Sequence, residues 1–118
     1  MYNLTYETSK ECVISNDNSL KITFNDGWSF INIGYVENLE NETYTGVLKV
    51  YNNSNHNITV RIINMPTYKT DVIVPPINQI QAIRLSLTNT TTANGVKFQI
   101  NSYENSTIYI DEVFFNKR

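Results

Sequence analysis

Few side chains in this 118-residue chain are of the kinds that make or break bonds. His56 is the sole histidine, in an Asn-rich run at 52–57 where a general base would be poorly held. Cys12 is the sole cysteine, and its only possible imidazole partner is that histidine. One cysteine forms no internal disulfide and builds no thiolate zinc site. Glu37, Glu40 and Glu42 are close in sequence, but they share one acidic loop and read as solvated rather than as a catalytic pair. No glycine-rich phosphate loop occurs. These residues point away from an enzyme.

Rings and polar side chains offer a different chemistry. A sugar stacks its apolar C–H face on a flat ring, and Asn, Gln, Arg and acids read its hydroxyls. Trp28, the one tryptophan, directly follows an Asn-Asp-Gly turn. Tyr51 lies on the same strand face as Lys49, and Tyr68 follows a proline in an irregular segment where exposure is expected. Charge is uneven: residues 1–46 hold seven acids and two bases, whereas residues 47–103 hold five bases and only Asp71. Of those bases Lys49, Arg61, Arg84 and Lys97 fall at polar strand positions, as on a solvated sheet face able to meet an uncharged or anionic polymer. Trp28, Tyr51, Tyr68, Lys49 and Arg61 are therefore the candidate carbohydrate contacts.

The elements that must position them follow a period of two. Residues 19–24 alternate cleanly, and Asn25-Asp26-Gly27 reads as a turn. Strands follow at 28–36, 44–51 and 58–64, and the polar run 52–57 most simply closes a hairpin between the last two. Pro66 breaks the pattern, 70–74 reads as a short edge strand, and Pro75-Pro76 ends it. Alternation returns at 80–88, 96–101 and 107–115, and 2–14 holds one or two strands more. Eight or nine strands with turns at this spacing predict an all-β, two-sheet antiparallel sandwich, one domain over 1–118. Alanine occurs only at Ala82 and Ala93, poor material for helices.

Composition narrows the partners. A net charge of −2 and a pI near 5.3 disfavour a nucleic-acid binder. No run approaches the roughly 18 apolar residues of a membrane-spanning helix. The N-terminus lacks the basic start and apolar run of a signal peptide. Six Asn-x-Ser/Thr sequons occur, at Asn3, Asn41, Asn52, Asn57, Asn89 and Asn105, as expected by chance in a chain rich in Asn and Thr.

Four segments carry a family likeness. They are Asn3-Leu4-Thr5-Tyr6-Glu7, the strand from Glu42 to Val50, the strand at 57–63, and Ser106-Thr107-Ile108-Tyr109-Ile110-Asp111-Glu112-Val113. In this order the chain resembles the jelly-roll carbohydrate-binding modules appended to xylanases and glucanases, the family 4, 9 and 22 group. Gly46 stands where that family usually has a serine. The resemblance implies a jelly-roll sandwich and non-catalytic attachment to a polysaccharide or cell-surface glycan. It implies a structural calcium ion at Glu7 and Asp111, and it implies that Tyr44 and Tyr109 pack inside the fold. The expected location is extracellular or on a virion surface. The alternative is a decoration or adhesion subunit of a phage or surface assembly, with another virion or surface protein as partner; phage particles assemble without a secretion signal.

Overall fold

The computed structural model describes residues 7–8, 12–16, 20–24, 29–36, 43–64, 68–88, 95–102 and 106–117. Among them run ten strands: β1 (Glu7–Thr8), β2 (Cys12–Asn16), β3 (Leu20–Phe24), β4 (Ser29–Val36), β5 (Thr43–Asn53), β6 (Ile58–Asn64), β7 (Tyr68–Val74), β8 (Gln81–Thr88), β9 (Val96–Ser102) and β10 (Ser106–Lys117). They form two antiparallel five-stranded sheets, ordered β1-β4-β9-β6-β7 and β2-β3-β10-β5-β8. From β3 onward the chain changes sheet at every step except β6 to β7, which is a jelly-roll path. The eight strands read from the alternation after residue 19 are all present, and no described segment is helical.

Alternation explains the packing. In β6 Ile58, Val60 and Ile62 are buried, while Thr59, Arg61 and Ile63 turn away; in β8 Ile83, Leu85 and Leu87 face inward, against exposed Arg84, Ser86 and Thr88. Two such apolar faces remove each other from water, at roughly 25 cal/mol per Å² of apolar surface. At the centre Phe98 of the first sheet stacks on Phe115 of the second, with centroids 5.4 Å apart. Gly46 makes room for that stack: a Cβ there would lie 2.8 Å from two Phe98 ring carbons. This accounts for a glycine where the resembled family carries serine.

Residues 52–57 do not close a hairpin. β5 pairs with β8 and β10 in the second sheet, and β6 pairs with β7 and β9 in the first. The segment arches between the sheets instead, and its polar side chains hold the arch. Asn52 Nδ2 donates to the carbonyls of His56 (2.8 Å) and Val74 (3.0 Å), and Ser54 Oγ donates to Asn52 Oδ1 (2.6 Å). A run that satisfies its own backbone this way needs no ladder partner across it.

Candidate functional site on the outer sheet faces

The outer face of the first sheet carries a polar row. Register places Asn32 of β4 opposite Gln99 of β9, Gln99 opposite Arg61 of β6, and Arg61 opposite Asp71 of β7. Directly opposed residues share a face, and Phe98, Ile100, Val60 and Ile62 on either side point into the core, so this row faces away from it. It is nevertheless sunk: Asn32 is 4% and Gln99 9% exposed. Gln99 Nε2 donates to Asn32 Oδ1 at 2.7 Å. Arg61 Nε stands 3.0 Å from Asp71 Oδ1, with Lys69 Nζ 3.8 Å from the other oxygen. One position along the same face is Asn101, between Phe30 and Thr59 in register and 1% exposed. Neither of its amide atoms has a hydrogen-bond partner among the described residues. Amides and a guanidinium held side by side suit the hydroxyls of a sugar, which both donate and accept.

The second sheet presents a different surface. Tyr51 of β5 and Tyr109 of β10 are register partners with ring centroids 6.3 Å apart and tilted 38°. Tyr51 Oη donates to Asn78 Oδ1 at 2.8 Å, which ties the ring to the β7–β8 connection. Beside the rings lie Lys49 and Asp111, also register partners, and Glu112. Exposed Ile80 forms a wall, and the groove so enclosed is about 250 Å³. A β-bulge between Asp111 and Phe114 creates the floor's charged end. Glu112, the extra residue, has φ of 52°, and its N–H donates to Asp111 Oδ1 at 2.8 Å. Its carboxylate meets Lys49 Nζ at 2.6 Å. That hydrogen bond and charge, with a smaller contribution from Asp111, raise the Lys49 pKa above the ordinary lysine value.

The sequence candidates are thus divided. Lys49 and Tyr51 lie on the second sheet's outer face, and Arg61 lies on the first sheet's. Tyr68 is on β7 opposite Asn64, with its side chain outside the described part, and Trp28 lies outside the described residues. The bases do not share one face, since Arg84 sits with Lys49 on the second sheet while Lys97 and Lys69 sit with Arg61 on the first. Tyr44 is fully buried as expected, but Tyr109 is half-exposed and lines the groove. Its alternation with buried Ile108 and Ile110 already marked it as outward-facing. Asn32, Gln99 and Asn101 gave no signal, because a strand amide reads as ordinary surface until register stacks it on others.

Glu7 pairs with Asn32 on the edge strand of the first sheet, and Asp111 pairs with Lys49 in the second. Calcium takes about six to eight oxygens. Among the described residues no three His, Cys, Asp or Glu side chains gather, and the side chain of Glu7 lies outside the described part.

No protein-family model matches the chain, and no curated protein matches it. Solved structures do match. A family 61 carbohydrate-binding module in complex with β-1,4-galactotriose superposes with TM-score 0.61 at 11% identity, over 98% of this chain and 88% of that one. A family 4 carbohydrate-binding module superposes at 0.62 and 19% identity, over 91% and 78%. The enzymatically active domain of tailspike protein 4 of bacteriophage CBA120 superposes at 0.70 and 11% identity, over 98% of this chain but 19% of the tailspike chain. The chain has the jelly-roll fold of carbohydrate-binding modules. No described helix is long and apolar enough to cross a membrane.

Proposed function

We propose that this protein is a non-catalytic glycan-binding module and that its principal site is the polar row on the outer face of the first sheet. The observation that carries this is the aligned row itself: the partly exposed side chains of Arg61 and Asp71, with exposed Lys69, stand in fixed register on the outer face, braced from beneath by the buried amides of Asn32, Gln99 and Asn101. The likeness to carbohydrate-binding modules, one of them in complex with β-1,4-galactotriose, supports the same reading. Binding at such a site is weak, on the order of 10 μM to 1 mM, so attachment relies on several copies acting together.

The test is a glycan array with the protein displayed multivalently, followed by calorimetry on any hit. Arg61→Ala and Gln99→Ala are expected to lose binding while the far-ultraviolet spectrum stays that of the parent. A hit that both variants retain would remove the site from this face. The likeness to a domain of a phage tailspike favours a second reading, a virion or surface-assembly subunit whose partner is a protein. Silence across a broad array by folded protein would favour it.

A further inference from the structure

We propose a second glycan site, on the opposite face of the sandwich, in the groove floored by Tyr51 and Tyr109. This rests on the reading of the chain as a glycan-binding module. The groove pairs two chemistries that a pyranose ring needs together. Tyr51 and Tyr109 give a ring surface for the sugar's C–H face, and exposed Ile80 extends it upward. Lys49, Asp111 and Glu112 stand along one edge, where the ring's hydroxyls would lie. The parts are held in place from outside the groove. Asn78 fixes the Tyr51 hydroxyl, and Gln81 Nε2 donates to the Pro75 carbonyl (2.9 Å), bracing the connection that carries Ile80. The bulge at Glu112 brings its carboxylate onto Lys49.

The charge balance names the ligand class. Lys49 and Glu112 neutralise each other, and Asp111 is offset by Lys21, the register partner of Tyr109, and by Arg84 on the same outer face. With no excess negative charge along the rings, stacking rather than ion pairing selects the ligand, and a neutral oligosaccharide fits this groove. Because the two sheets turn their outer faces in opposite directions, one molecule with both sites occupied bridges two glycan chains, and avidity arises without a second copy.

The experiment is an amide-resolved NMR titration of the whole chain with β-1,4-galactotriose, cellotriose, xylotriose and trigalacturonic acid in turn. A neutral trisaccharide is expected to shift amides at 49–51 and 109–112 along one saturation curve, and amides around Asn32, Arg61 and Gln99 along another. Trigalacturonic acid is expected to bind the first group no more tightly than a neutral trisaccharide, because stacking rather than charge carries the contact. Tyr109→Ala is expected to weaken the curve at 49–51 and 109–112 by about tenfold while Tyr109→Phe keeps it. Shifts confined to the first sheet, or a groove curve untouched by Tyr109→Ala, overturn the second site. Shifts confined to the groove uphold it and move the principal site there. Shifts at neither face with any sugar overturn the glycan reading, and this proposal falls with it.

Discussion

The same substitution should have opposite effects at two buried asparagines. Asn101 is 1% exposed, and neither amide atom has a partner among the described residues. Asn52 is 3% exposed, but its Nδ2 serves two carbonyls and its Oδ1 accepts from Ser54. Asn101→Val removes an uncompensated amide worth about 1–3 kcal/mol and adds a residue that favours strands, against some overpacking from the extra methyl. A net gain of about 1–2 kcal/mol is expected. With an unfolding entropy near 2.1 cal/mol/K per residue, a chain of 118 residues gains about 4 °C per kcal/mol, so Tm rises by about 4–8 °C. Asn52→Val strands the carbonyls of His56 and Val74, and a loss of about 2–4 kcal/mol is expected. Calorimetric melts of both variants, with glycan binding measured alongside, decide the matter. If Asn101→Val melts below the parent, its amide is engaged in the native protein and the reasoning from an uncompensated amide fails. If it melts higher but still binds, the amide is a defect unrelated to the ligand.

Three further outcomes are expected. Gly46→Ala puts a methyl 2.8 Å from the Phe98 ring between rigid neighbours, and a loss of about 1–3 kcal/mol is expected, partly restored by adding Phe98→Leu, as urea unfolding of the single and double variants would show. The Lys49 pKa is raised by Glu112, so the pair's contribution is complete below the ordinary lysine value and is lost as pH climbs through the raised one; an NMR titration of the Lys49 side chain should give a midpoint above 10.5 that falls in Glu112→Gln. Because Asp111 is held by the Glu112 N–H and faces Lys49, chelator and added calcium should leave the melting curve unchanged; a rise in Tm with calcium that is lost in Asp111→Asn would instead assign a bound metal to Asp111.

Strand positions and core residues were legible because they depend on local alternation. Ile58, Val60 and Ile62 announce a half-buried strand whatever lies beside it. Sheet membership was not legible, since a period of two tells which side of a strand is apolar and not which sheet it joins. The misreading of 52–57 follows from this: strands of similar length around a polar run look alike whether they pair or stack. The candidate site suffered in the same way. Lys49 and Arg61 both read correctly as outward, yet one fold places them on opposite faces. Tyr109 was visible from its own parity, and the family likeness argued it into the core.

Two described positions where this fold departs from ordinary physical preference lie on the two outer faces, away from the apolar interior. Asn101 is buried with unmet bonding capacity on the first sheet, and Glu112 holds φ at 52° on the second, the one such non-glycine residue among those described. Each departure could be relieved by a single substitution that leaves the core untouched, valine at one and glycine at the other. The interior contrasts with them, for there Gly46 and Gly34 sit where any larger residue would collide with Phe98 or Phe115. A sequence tuned so closely inside but left uncompensated at two outer positions is consistent with selection for something the folded chain alone does not supply. Both positions adjoin side chains suited to sugars: the amide row beside Asn101, and the tyrosine pair beside Glu112. If they were mere tolerated defects, repairing either would leave glycan binding as it was. The argument for two faces requires that each repair weaken binding on its own side and spare the other.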